Sequence, residues 1–102
     1  MIHVVAIITL KPGKRADFLA AFHANIPAVL AEQGCIEYGP TVDAATDHPA
    51  QAKLGGDTVV VVEKWSDMDA LKAHGVAPHM KAYAAKTKDW VESRKIHMLS
   101  PA

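Results

Sequence analysis

Two runs of this chain are apolar on both faces that a β-strand presents, and this pattern limits the available folds more than any other feature of the sequence. Along Ile2 to Leu10, residues Ile2, Val4, Ala6, Ile8 and Leu10 share one face while Val5 and Ile7 lie on the other. From Thr58 to Trp65, residues Val59, Val61, Glu63 and Trp65 point one way and Val60, Val62 and Lys64 the other. Such strands need cover on both sides, and the second run reads as the centre of a sheet.

The remaining segments supply cover for one side. Lys11-Pro12-Gly13 reads as a turn, and from Lys14 to Gln33 the residues Phe18, Leu19, Phe22, Ile26, Val29 and Leu30 line one helical face. Pro27 predicts a kink in that helix and Gly34 its C-terminal cap. Cys35 to Val42 reads as a strand with Ile36, Tyr38 and Val42 on one face, and Gly39-Pro40 marks it as an edge or a bulge. Asp43 to Asp57 is rich in small and turn-forming residues and reads as a long mobile loop, either a lid or a disordered segment. Ser66 with Asp69 resembles a capping box that starts a short helix ending at His74-Gly75. Pro78 suits the first position of a helix running through Met80, Tyr83, Ala84 and Thr87, and Val91 to Leu99 closes the chain as a strand.

This order predicts a single α+β domain over residues 1–102, a ferredoxin-like sandwich. Its helices cover one face of the sheet, so the doubly apolar strands predict a homodimer with the sheets packed face to face.

Composition narrows the function classes. Eleven basic residues balance eleven acidic ones, which leaves no electrostatic footprint for nucleic acid or an anionic membrane surface. The single cysteine, Cys35, excludes an internal disulfide and points to a reducing, cytoplasmic setting. No signal-peptide pattern opens the sequence, and the aliphatic run Val59 to Val62 is too short to span a bilayer. The six histidines show no His-x-x-x-His spacing, and no phosphate-binding or dinucleotide glycine motif occurs, so neither a metal nor a nucleotide cofactor is expected. A small neutral or apolar ligand fits this balance.

Chemistry-bearing residues gather after the central strand. Trp65 closes that strand at the helix junction, either stapling it or stacking on a planar ligand ring. His74 and His79 flank the Gly75 to Pro78 elbow, and imidazole is the side chain suited to proton transfer near neutral pH. Tyr83 follows His79 by four residues on the same helical face, which places its hydroxyl to orient an imidazole or a ligand oxygen. Met80 and Phe22 are candidate pocket walls, although at helical spacing they also read as core.

The segments Glu32 to Tyr38, Glu63-Lys64-Trp65, His74, and Pro78-His79-Met80-Lys81-Ala82-Tyr83 resemble the antibiotic biosynthesis monooxygenase family, closest to its quinol monooxygenase branch. The resemblance implies a dimeric α+β barrel with a pocket between each sheet and its helices. It also implies oxygenation of electron-rich phenols without metal, haem or flavin. Ala6, His74 and Ala84 stand where the haem-degrading branch has its Asn, Trp and ligating His, which sets the chain apart from that branch. Val61 stands where the polyketide-tailoring branch has an Asn.

The expectation is therefore a cofactor-independent monooxygenase or quinol oxidase acting with molecular oxygen on a small hydroquinone or polyphenol. His74 and His79 are the expected catalytic residues, and Trp65, Tyr83, Met80 and Phe22 the expected substrate contacts. The alternative is a non-catalytic module of the same fold that binds a small aromatic ligand. An isomerase or lactone-processing enzyme is a third class, distinguished by turnover without oxygen.

Overall fold

A computed structural model describes residues 1–102. β1 (Ile2–Leu10), α1 (Arg15–Leu30), β2 (Cys35–Thr41), β3 (Thr58–Trp65), α2 (Met68–Gly75), α3 (Pro78–Thr87) and β4 (Val91–Leu99) follow one another along the chain. The four strands form an antiparallel sheet in the order β2-β3-β1-β4, the ferredoxin-like arrangement expected from the order of elements. The two doubly apolar strands pair at its centre, with Val5 opposite Val62 and Ile7 opposite Val60.

The core lies on one face of that sheet. Val4, Ala6, Val59, Val61 and Trp65 pack there against Phe18, Phe22 and Val29 of α1 and Leu71 of α2. Trp65, Phe18 and Phe22 are fully buried, each contributing roughly 1.5–3 kcal/mol by leaving water. On the opposite face Val5, Ile7, Val60 and Val62 are half-buried and belong to no core cluster. No helix is long and apolar enough to cross a membrane.

Several local expectations need correction. α1 stops at Leu30 with Ala31 as its cap, short of Gln33, so Gly34 is not the helix cap. The helix continues through Pro27 to Leu30. The irregularity in β2 falls between Cys35 and Glu37, whereas Gly39 and Pro40 pair regularly with Val62 and Val61 on this edge strand. β2 ends at Thr41, and Ile36 and Val42 are exposed instead of joining Tyr38 in the core. The cap of α2 is Asp67, one residue beyond the predicted Ser66, with its carboxylate accepting from the Ala70 N–H at 2.8 Å. Asp43 ties the long loop by accepting from the Leu54 and Gly55 N–H groups, and these bonds hold its carboxyl below the ordinary value.

Gly34 has a different task. It takes φ +83°, and its carbonyl accepts from the Ser66 N–H at 2.8 Å, which docks the α1–β2 turn on the β3–α2 junction. A Cβ there would lie 2.6 Å from both the Ala70 Cβ and the Ser66 Oγ. Gly34→Ala combines left-handed strain with that collision, and we expect a loss of about 2 kcal/mol or more, read from urea denaturation.

Candidate active site

The period-2 pattern of β3 sends Val61, Glu63 and Trp65 to the helix-covered face, so a carboxylate enters an otherwise apolar surface. Glu63 is 7 % exposed, and its Oε1 accepts a hydrogen bond from the Trp65 Nε1–H at 2.9 Å. Burial pushes the Glu63 carboxyl above its ordinary range. The Trp65 hydrogen bond and the nearby His74 oppose that rise, while the charge of Glu32 adds to it.

α2 presents Leu71 and His74 to the same interior, one helical turn apart. The His74 ring lies 4.6 Å from the Trp65 ring and 5.5 Å from that of Tyr38, centroid to centroid. Its Nε2 stands 4.0 Å from Glu63 Oε1, and its Nδ1 is 2.8 Å from Glu32 Oε2. Glu32 belongs to the turn that Gly34 docks, which explains how a residue 42 positions earlier reaches α2. His79, near the start of α3, contacts the same Glu32 oxygen at 2.8 Å through Nε2.

Of these groups, Tyr38, Glu63, Leu71 and His74 line a cavity of about 410 Å³ between the sheet and the helices. Phe22, Tyr38, Val61, Leu71, Met80 and Tyr83 form much of its wall, with Glu63, Lys72, His74, Thr87 and Arg94 as polar members. Phe22 and Tyr38 are stacked at 5.0 Å with an interplanar angle of 7°. Burial raises the phenols of Tyr38 and Tyr83 above their ordinary value, so both remain neutral hydroxyls at physiological pH. The size suits a ligand of one or two fused rings, and the mainly apolar wall with a few convergent polar groups is the usual composition of a small-molecule site. Ile96 and Met98 of β4 line the cavity while remaining about half exposed, at 51 % and 56 %. No group of three His, Cys, Asp or Glu side chains has the arrangement of a metal site.

Four of the residues expected at a site line this cavity: His74, Tyr83, Met80 and Phe22. Trp65 does not; it is wholly buried behind Glu63, and its N–H is taken by that carboxylate instead of facing a ligand. His79 also lies outside, in a groove between α1 and α3, so the two imidazoles meet at Glu32 and not at a common pocket mouth. No residue of the Asp43 to Asp57 loop lines the cavity, so the loop does not act as its lid in this conformation. Glu32, Glu63 and Tyr38 lie in segments that carry the family resemblance but are not among the expected site residues. Glu63 carried a usable signal, an acid on the buried face between Val61 and Trp65, whereas nothing local marks Glu32.

The raised carboxyl of Glu63 sets a sign for pH-dependent stability. A carboxyl that holds its proton more tightly when folded favours folding in acid and disfavours it once pH rises beyond the ordinary value of 4.5 toward the raised one. Glu63→Gln keeps an oxygen for the Trp65 N–H. We expect the variant to be more stable than the parent at neutral pH, with the difference closing as pH falls toward 4.5, read from urea unfolding at several pH values.

Comparisons with known proteins place this geometry in a family. Residues 1–86 match the sequence profile of the antibiotic biosynthesis monooxygenases. The chain is 38 % identical over 103 residues to the probable quinol monooxygenase YgiN of Escherichia coli strain K12, covering 99 % of this chain and 98 % of that protein. Among solved structures, PA3566 from Pseudomonas aeruginosa has a TM-score of 0.80 at 22 % identity, covering 99 % of this chain and 93 % of its own. Rv0793 from Mycobacterium tuberculosis gives the same TM-score of 0.80 at 24 % identity over 99 % of this chain. By the profile match and the near full-length likeness to YgiN, the chain belongs to the antibiotic biosynthesis monooxygenase family.

Proposed function

We propose that this protein is a quinol monooxygenase that uses molecular oxygen on a small hydroquinone, with His74 as its general base and no prosthetic group. The observation that carries the reading is the placement of Glu63 and His74 at one end of an apolar cavity sized for a one- or two-ring ligand. The full-length similarity to a probable quinol monooxygenase supports the choice of substrate class.

A ring held between the apolar walls directs one hydroxyl to His74 Nε2, and removal of that proton gives a quinolate electron-rich enough to reduce oxygen. One electron passes to oxygen, and the semiquinone and superoxide combine to form a carbon–oxygen bond. Cleavage of the resulting hydroperoxide O–O bond leaves one oxygen atom on the ring as a hydroxyquinone and releases the other as water. The quinol supplies all the electrons, and the departing oxygen takes the proton held by His74 and a second proton that the ring gives up as it becomes the quinone. The polar hydroxyls of Tyr38 and Tyr83 are available to orient the ring oxygens, and exclusion of water by the aromatic wall strengthens each of these contacts. Trp65 serves the site by fixing Glu63, and Met80 and Phe22 serve as walls.

The reading includes a homodimer. Val5, Ile7, Val60 and Val62 form an apolar strip on the sheet face away from the helical core, and a second copy packed face to face would cover it. Sedimentation equilibrium at micromolar concentration should return a dimer, and Val62→Glu, which places a charge in the strip, should return a monomer.

Oxygen uptake with anaerobically prepared menadiol tests the chemistry. We expect uptake well above the spontaneous rate, unaffected by a chelator, with one atom from ¹⁸O₂ in the product. His74→Ala should lower kcat by about 100-fold or more, the usual contribution of a general base. A rate equal to the spontaneous one would favour a ligand-binding module, and stoichiometric hydrogen peroxide without label in the product would favour a quinol oxidase.

A further inference from the structure

Glu32 lies outside the cavity, yet it grips the imidazole that faces it. His74 Nδ1 and His79 Nε2 each lie 2.8 Å from the same atom, Glu32 Oε2. A carboxylate only accepts hydrogen bonds, and a neutral imidazole carries a single N–H, so the nitrogen that faces Glu32 is the protonated one. For His74 this leaves the lone pair on Nε2, the nitrogen 4.0 Å from Glu63 Oε1 at the polar end of the cavity. A second donor on the same oxygen draws electron density from it and loosens its hold on the first. His79 is that second donor. It is reached from elsewhere, lining a groove of about 220 Å³ between α1 and α3 together with Asn25, Tyr83 and Lys86.

We propose that Glu32 is the positioning residue of this site, holding His74 in the tautomer that presents Nε2 to the substrate, and that His79 moderates Glu32 from the α1–α3 groove. The proposal rests on the reading of His74 as the base. On accepting the quinol proton at Nε2, His74 becomes an imidazolium whose Nδ1–H stays on Glu32, so the new charge faces a carboxylate and no proton moves to Glu32. The same Nε2 proton later leaves with the water.

The surroundings restrict which groups change charge with pH. His74 is faced by Glu32 from the α1–β2 turn, Glu63 from β3 and Tyr38 from β2. His79 is faced by Glu32 and shares its groove with Tyr83 and Lys86 of its own helix and the uncharged Asn25 of α1. Cys35 lies near both carboxylates, and burial raises its thiol as it raises the two phenols.

The proposal is tested by the ¹⁵N histidine spectrum of the substrate-free protein, which reads the tautomer, alongside the pH profile of menadiol-dependent oxygen uptake. Neutral His74 should carry its proton on Nδ1. Glu32→Gln should move the acidic limb of the kcat profile to lower pH, because an adjacent opposite charge is lost. The same variant should lower kcat roughly tenfold while leaving KM within about a factor of two, since the base is misoriented and the ring wall is intact. His79→Ala should move that limb the opposite way, to higher pH, and Glu32→Gln/His79→Ala should match Glu32→Gln alone because His79 acts through Glu32. A proton on His74 Nε2, shifts of the same direction in both single variants, or additive shifts in the double variant would overturn it. Should Glu32→Gln fail to fold, the tautomer of the parent and the direction of the His79→Ala shift decide by themselves. Absence of menadiol turnover with these shifts intact supports the positioning and overturns the assignment of His74 as a base in catalysis.

Discussion

Two carboxylates are drawn away from water beside the core, Glu63 buried on β3 and Glu32 partly buried in the α1–β2 turn, and most of the structure around the site follows from what that requires. Removing Glu63 and Glu32 from water costs several kcal/mol each unless hydrogen bonds replace the lost hydration. The Trp65 N–H meets Glu63, and two imidazoles meet Glu32. Those donors come from β3, α2 and α3, and the second carboxylate comes from the α1–β2 turn. The compensation therefore exists only when four separate pieces of chain are docked together. Gly34 makes the docking possible, because any side chain at that position would meet Ala70 and Ser66.

The same requirement gives the cavity its polarity. With the donors committed to the two carboxylates, Glu63 and His74 are buried polar groups at one end, and aromatic and aliphatic side chains form most of the rest of the wall. The stack of Phe22 on Tyr38 adds a flat wall beside them, and Phe18 and Phe22 meet Tyr83 edge to face at 6.1 Å and 6.0 Å. A planar ring fits such walls better than a branched aliphatic ligand does, since offset and edge contacts between rings carry a specific geometry. His74 is held on both sides, by Glu32 at Nδ1 and by the Trp65 ring across its plane, so its rotamer is fixed before any ligand arrives.

Much of the architecture was legible from pattern alone. Strict alternation along β1 and β3 assigns faces, because the side-chain period of a strand is two, and helical spacing in α1 assigns Phe18, Phe22 and Val29 to the core. Pro78 marked the first turn of α3 as expected. Errors clustered where chain segments end. The α1 terminus, the α2 cap and the irregularity in β2 each moved by one to several residues, since tertiary contacts and not local propensity decide such points. At the site, helical phase brings His74, Tyr83, Met80 and Phe22 to one cavity wall, whereas Trp65 gives its N–H to Glu63 and His79 lines a separate groove.

The sequence by itself determined the order of elements, the buried face of each strand and the residue types available for chemistry, because these depend on periodicity and composition within short windows. Only the tertiary structure decided that Glu32 meets two histidines, 42 and 47 residues later in the chain. It also turned the Trp65 N–H to Glu63 and His79 to the groove between α1 and α3. Contacts over such separations depend on how whole elements dock, and no local pattern encodes the direction in which a buried donor finds its acceptor.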